Sequence, residues 1–426
     1  MKRKVLASIL AAAFGIVLSA VVPLAAQATY KVTKLKGLGG DAGANGINNR
    51  GWATGQANKA GNAVLHAALW VRGSEAIDLG ALGGENSNSA VAWPVKSDDG
   101  LIVGISDTNL DHPLGTAFSC WPFFAPATPT GKICNGFRWQ KGVMTPLPAF
   151  PGGFSSYATA ANNRGQVVGW AENGVHDPSC DPAFQILQFR AVIWQPNGEM
   201  QELPPLPGDS TSAATAINDK GQVVGISGAC GVAVGNVSAA HSVLWENGVP
   251  INIGDLGGHT WNTPTAINND GVVVGFSLPA DQEGTRFFRA FVWTKETGIR
   301  QLDEIAGDVR SSALGINDDG QIVGFSRTAD AVLRAVKWDS ADAPITNLND
   351  VAAEGSPYLV IAGDINNSGT IAGYAFDPAT GESPAFIAAP ADDENATASA
   401  RHPEVKLPEK VRQRLMRKWG LIMGAD

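Results

Sequence analysis

This sequence predicts an all-β fold: a seven-bladed β-propeller of four-stranded antiparallel blades, closed by the N-terminal strand completing the last blade. Three observations predict it. The line AINDKGQVVGIS (216–227) returns as AINNDGVVVGFS (266–277), GINDDGQIVGFS (315–326) and DINNSGTIAGYA (364–375). Seven turn glycines, Gly51, Gly100, Gly165, Gly221, Gly271, Gly320 and Gly369, are each followed four residues later by a second glycine, and they recur at intervals of 49 to 65 residues. Finally, an unmatched strand opens the mature chain, and the seventh unit stops one strand short. A period in this range points to a repeat array or a propeller.

Each unit divides into four strands. The first is rich in small residues, as in STSAATAIN (210–218), and ends in a turn such as NDKG or NNDG, where Asn and Gly tolerate left-handed backbone. The second, QVVGIS or VVVGFS, is a short run of consecutive apolar, β-branched residues, which suits a strand covered on both faces. The third reads RAVIW (190–194), HSVLW (241–245), RAFVW (289–293) and RAVKW (334–338). The fourth alternates and ends in an aliphatic residue, as in AIDL (76–79), MQEL (200–203), INI (251–253) and IRQL (299–302). Blades converge at an axis, so small residues belong innermost. They diverge outward, so Trp70, Trp139, Trp194, Trp245, Trp293 and Trp338 fill the wider gaps. An alternating outermost strand suits a solvent-facing edge.

The ends test this reading. The seventh unit stops after SPAFIAAP (383–390), without a fourth strand, while TYKVTKLKGLGG (29–40) is a fourth strand with no unit of its own. Joined, they give seven of each element and a closed ring, whereas an open solenoid would carry capping repeats.

Around this core, residues 1–28 read as a secretory signal peptide. Lys2, Arg3 and Lys4 precede an apolar run, and Ala26-Gln27-Ala28 places the cleavage after Ala28. The expected location is periplasmic or extracellular. The net charge is −9, and loss of the leader cations makes the mature chain more acidic still, so nucleic acid is not an expected partner. Residues 391–408 are a polar linker. Residues 409–426 place Val411, Leu415, Met416, Trp419, Ile422 and Met423 near one face of a basic amphipathic helix, suited to a membrane surface, an acidic partner or its own disc.

Four cysteines in an exported chain read first as disulfides. Three pairings of Cys120, Cys134, Cys180 and Cys230 are open; we favour Cys120–Cys134 and Cys180–Cys230. No pair has the close spacing of zinc ligands.

The combined pattern, AxxINxxGxVVGxS followed by [RH]-A-x-x-W and G-x-x-x-x-L, resembles the HAF repeat of bacterial exported proteins of the "probable extracellular repeat" type, over roughly residues 30–389. The resemblance implies export and a repeat fold. It implies no activity and no site residues.

Most chemistry-bearing residues have a structural explanation. Asn48, Asn162, Asn218, Asn268, Asn317 and Asn366 suit side-chain to backbone bonds within their own turns. The acidic neighbours of Asn317 lack the spacing of a calcium loop, and GLGGDA (37–42) lacks the helix of a nucleotide site. Arg190, Arg289, Arg334, His66 and His241 each precede a third-strand Trp by four residues and are expected to support the blades by capping carbonyls. No cofactor, metal site or catalytic residue is assigned.

The departures from the repeat are long loops between second and third strands, at 105–134, 170–189 and 226–240. They belong to consecutive blades and should crowd one face. The first supplies Asp111, His112, Trp121, Phe123 and Phe124; the second supplies Trp170, His176, Asp177 and Asp181. Two His-Asp pairs and several aromatics suit a carbohydrate-stacking or metal-dependent site, against the alternative of a disulfide-pinned structural insertion. The expected function is binding or scaffolding on that face, with an envelope protein or polysaccharide as partner. The rival class is a polysaccharide-active hydrolase or lyase.

Overall fold

The computed structural model describes residues 29–71, 73–116, 120, 131–231, 239–391, 404–409 and 411–412. Its strands sort into seven four-stranded antiparallel sheets, so the protein is a seven-bladed β-propeller. Numbered in chain order, blades 1 to 6 occupy residues 39–78, 89–146, 156–203, 211–252, 263–301 and 308–347, and each runs through its four strands in sequence. The seventh is built from Tyr358–Ile365, Ile371–Phe376, Ala385–Pro390 and, outermost, Tyr30–Leu35. Tyr30 stands opposite Pro390 and Leu35 opposite Ala385, so the N-terminal strand closes the ring as the sequence predicts. The expected leader, with its cleavage at Ala28, lies outside the described residues.

The two repeated glycines have different causes. The turn glycines all have positive φ, from +74° at Gly51 to +83° at Gly271, a region costly for any residue with a Cβ. Their partners four residues later lie within second strands and meet a steric limit instead. A Cβ at Gly55, Gly104, Gly169, Gly225, Gly275, Gly324 or Gly373 would collide with a carbonyl oxygen of the neighbouring first strand. In six blades that first strand also carries a β-bulge, for instance between Ala158 and Ala160 and between Ala214 and Ala216. A bulge leaves one residue unpaired and free to point elsewhere. Here the freed residue reaches the next blade: the Thr159, Thr215 and Thr265 hydroxyls donate to the carbonyls of Ala214, Pro264 and Ala313 at 2.7–3.0 Å.

Five of the six third-strand tryptophans are buried between blades as expected, Trp139 being only partly buried, and the polar edge of several is used too. The indole N–H groups of Trp70, Trp194, Trp245 and Trp338 donate to the carbonyls of Lys36, Pro148, Pro204 and Asp303 at 2.7–3.0 Å. Each acceptor follows the outermost strand of the preceding blade. Each ring therefore fills an inter-blade gap and fixes its neighbour with one hydrogen bond.

The residues four before those tryptophans mostly meet acids rather than carbonyls. His66 Nδ1 lies 2.7 Å from Asp78, His241 Nδ1 lies 2.9 Å from Asp209, and Arg190 lies 3.7 Å from Glu202. Arg334 contacts Asp308 and Glu404. Only Arg289 among them also caps carbonyls, those of Phe287 and Val309, beside its ion pair with Glu304. The expectation of carbonyl caps is corrected accordingly, because acids of the outermost strands (Asp78, Glu202) and of the approach to the first strands (Asp209, Glu304, Asp308) come within reach.

The described part of the tail lies on blade 6. Glu404 pairs with Arg334 at 2.6 Å, Lys406 pairs with Asp330 at 2.9 Å, and Leu407 is buried. The remainder of the expected linker and helix lies outside the described residues. No described helix is long and apolar enough to cross a membrane.

Candidate functional site

The disc offers two surfaces. The first to second strand turns surround one mouth of the axis; the inserted loops lie on the other face.

At the turn mouth, each Asn does more than hold its own turn. Asn218 Oδ1 accepts from the backbone amides of Lys220 and Gln222, as the sequence predicts, while its Nδ2 donates to the Asn268 carbonyl of the next blade. The same link joins Asn48 to Ser97, Asn162 to Asn218, Asn268 to Asn317, Asn317 to Asn366, and Asn366 back to Asn48. Blade 2 has Ser97 at this position, and its buried hydroxyl has no hydrogen-bond partner.

One residue later runs a second ring with all seven links. The backbone amides of Asn49, Asp98, Asn163, Asp219, Asn269, Asp318 and Asn367 each donate to Oδ1 of the next member, at 2.7–3.1 Å. The turn acids are therefore acceptors for backbone amides. Burial raises the Asp318 carboxyl, but bonds from the Asn269 amide and the Asn367 and Asn269 side chains outweigh it and hold the group below its ordinary range. Residues of both rings line a polar funnel at the axis. Lys96 crosses it from blade 2: its ammonium donates to the carbonyls of Ile316 and Ile365 and lies 3.3 Å from the buried Asp364 carboxylate. Burial pushes the Asp364 carboxyl up despite the opposing pull of Lys96.

On the opposite face the three insertions are fastened together. Cys120–Cys134 closes the blade 2 loop, and Cys180–Cys230 joins the blade 3 loop to that of blade 4. Both pairings are the ones favoured from sequence. Beside the second bridge, Ser179 Oγ and carbonyl oxygen receive the backbone amides of Cys230 and Gly231.

The blade 2 and blade 3 loops meet at a residue that sequence reading did not single out. Glu172 is buried, and its Oε2 accepts from the amides of Phe154 and Ser155 at 3.1 and 2.9 Å. Gln185 donates to Oε1 at 2.8 Å, and His112 Nε2 lies 3.4 Å from Oε2. His112 also stacks edge-on to Phe154. Beneath the loops, Trp170 lies between Tyr157, stacked at 4.9 Å, and Trp93, edge-on at 5.5 Å. Burial, then the Glu172 charge, push the Tyr157 hydroxyl well above its ordinary range.

The expected His-Asp pairs do not converge. The second strands Ile102–Asp111 and Val167–His176 end within each pair, and its two members part there. Asp111 is exposed on an ion pair with Lys132 at 2.6 Å, while His112 is buried. His176 is exposed, while Asp177 is buried under bonds from Ser179 and Thr211. Burial raises the Asp177 carboxyl, but those bonds and one from Ser210 outweigh it and leave it below the ordinary range. Asp181 is exposed and caps the amide of Ala183. Trp170 is a core ring, and Trp121, Phe123 and Phe124 lie outside the described residues. Asp177 also stands beside Cys180 and Cys230 in a group of metal-binding compactness, but both sulfurs are committed to the disulfide and offer no thiolate.

Beside these polar groups the insertions expose large apolar side chains: Leu110 and Leu114 from blade 2, Val175 and Phe184 from blade 3. Leu110 is 59% exposed and Val175 53%. In the sequence these aliphatic residues stand among charged and aromatic neighbours, with no periodicity to mark them.

No family model matches this chain, and no curated protein matches it. Solved structures that resemble it are propellers and enzymes of low identity. A virginiamycin B lyase from Staphylococcus aureus is 12% identical with a TM-score of 0.47, covering 84% of this chain and 99% of that one. An oligogalacturonate lyase in complex with manganese is 12% identical with a TM-score of 0.46, covering 85% and 93%. The β-propeller domain of the Trilobed protease from Pyrococcus furiosus is 10% identical with a TM-score of 0.45, covering 84% and 97%. Similarity at this level carries no argument about chemistry, and the fold rests on the sheet order of this chain itself.

Proposed function

We propose that this is an exported binding or scaffold propeller of the bacterial envelope or extracellular space, with its ligand or partner on the face that carries the blade 2–4 insertions. The observation that supports it is rigidity combined with exposure. Two disulfides and a buried histidine–carboxylate contact hold the loops, yet the same loops present large aliphatic side chains to water. Preorganised loops lose little entropy on binding, and exposed apolar groups on a rigid scaffold mark interaction surfaces. Two disulfides also suit a chain that folds in an oxidising compartment. The split of Asp111 from His112 and of His176 from Asp177 supports binding over hydrolase or lyase chemistry.

The test compares wild type with a Leu110→Ser, Val175→Ser, Phe184→Ser variant against immobilised envelope polysaccharides and a solubilised envelope protein fraction, with released sugar read in parallel. Capture by wild type, lost in the folded variant without product, is expected. Sugar release that needs Asp111, Asp177 or Asp181 would make the protein an enzyme.

A further inference from the structure

Blades 5 and 6 hold a cluster of positive charge that the insertion face does not use. Arg310, in the first strand of blade 6 (Asp308–Ile316), stands directly opposite Arg327 in the second (Ile322–Thr328). Both are buried, at 3% and 7% exposure. Arg286 joins them from the loop between the second and third strands of blade 5. Like charges facing across an antiparallel pair repel, and burial removes the water that would screen them. Burial, then the charges of Arg327 and Arg286, push Arg310 toward losing its proton, which a guanidinium near neutral pH does not do. Among the described residues no carboxylate pairs with Arg286 or Arg310. Glu404, which the tail brings to blade 6, is paired with Arg334, and Asp308 is turned to Ser326 and Arg334.

The geometry narrows what could offset this charge. The Arg310 guanidinium lies 3.9 Å over the Phe288 ring, and that of Arg286 lies 5.2 Å over Trp261. Stacking uses the faces of these groups and leaves the N–H donors at their edges. The two Arg310 donors without a partner are Nε and Nη2, which share one edge and point the same way. That fork matches two oxygens of one carboxylate, phosphate or sulfate. Arg286 Nη1 is likewise buried and unpartnered. Buried donors left without an acceptor are rare and costly.

We propose that Arg286 and Arg310 form a binding site for a single oxyanion group, with the Nε–Nη2 edge of Arg310 as its fork. The group is either a small free anion or the charged substituent of an acidic sugar. The site stands on blades 5 and 6, apart from the insertions, and holds or fails independently of the binding reading.

The test uses the protein dialysed free of multivalent anions and titrated with inorganic phosphate, sulfate or glucuronate at ionic strength fixed with sodium chloride. Calorimetry reads affinity, and a thermal scan reads Tm. The expected result is a saturable heat and a rise in Tm of about a few degrees near saturation. Affinity should fall at least about tenfold in Arg310→Met and in Arg286→Met, as expected when a charge-assisted fork is lost. Arg310→Met should also melt higher than wild type without anion, because a repelling buried charge is gone. Phosphate and sulfate binding without glucuronate assigns the site to a free tetrahedral anion; glucuronate binding assigns it to an acidic sugar. No saturable response to any of the three, or an equal response in Arg310→Met, overturns the proposal and leaves water as the partner of these donors.

Discussion

The side-chain amide of Asn366 donates to the Asn48 carbonyl at 3.0 Å, across 318 residues of sequence, and joins the last blade to the first. Alongside it, the Asn367 amide donates to Asn49 Oδ1 at 2.9 Å. The ring is thus closed twice, once by the outer strand Tyr30–Leu35 and once at its centre by turn residues.

Asn366→Ala removes that link and also the acceptor for the amides of Ser368 and Thr370. The expected loss of unfolding free energy is about 2–3 kcal/mol, since buried partners are left unsatisfied. Ser97→Asn should do the reverse. It places the missing donor opposite the Asn162 carbonyl and should add about 1 kcal/mol, the net worth of one such bond. Urea unfolding measures both; an unchanged midpoint for Ser97→Asn would mean the first ring adds nothing to stability.

Lys96 and Asp364 give a pH signature. Asp364 is raised by burial, so its contribution is fully present below the ordinary aspartate pKa and is lost as pH rises through the raised value. Lys96→Met removes the cation that counters this, raising the carboxyl further. The variant should lose about 3 kcal/mol or more at pH 7, the usual cost of stranding one partner of a buried pair. The loss should shrink as pH falls and the raised carboxyl takes up its proton. Asp364→Asn in the Lys96→Met background should recover most of it. Unfolding curves across that pH range decide the matter, and a pH-independent loss would contradict the assignment.

The two disulfides differ in the chain they close. Cys180–Cys230 spans 50 residues and Cys120–Cys134 spans 14. On chain-entropy grounds their removal costs about 4 and about 3 kcal/mol respectively. Paired Cys→Ser variants, compared by thermal unfolding, should fall in that order.

The elements that lie within one unit were legible in the sequence: the hairpin, the two glycines, the small inner strand and the third-strand Trp. Ring closure was legible as well, because the missing strand at one end matched the orphan strand at the other. What escaped depends on how one blade meets the next. Asn218 reads as a turn residue, and nothing local shows that its amide reaches Asn268. Lys96 sits in an unremarkable stretch, and its partner Asp364 is brought near only by closure of the ring. His112 and Asp177 suggest a site by residue type, but just past their strand ends they turn inward, while Asp111 and His176 stay exposed. Glu172, the acid that holds two insertions together, lies in the extended part of the second strand Val167–His176, beyond the repeat and with no pattern to mark it.

The account rests on the fastened insertions being a binding surface. The most direct measurement takes wild type and Cys180→Ser/Cys230→Ser, both shown folded by circular dichroism, and compares captured envelope polysaccharide or protein with released sugar. Capture by wild type that weakens when the bridge between the blade 3 and blade 4 loops is removed, with no sugar released by either, is the predicted result. Equal capture by both proteins, or release of sugar by wild type, would contradict it.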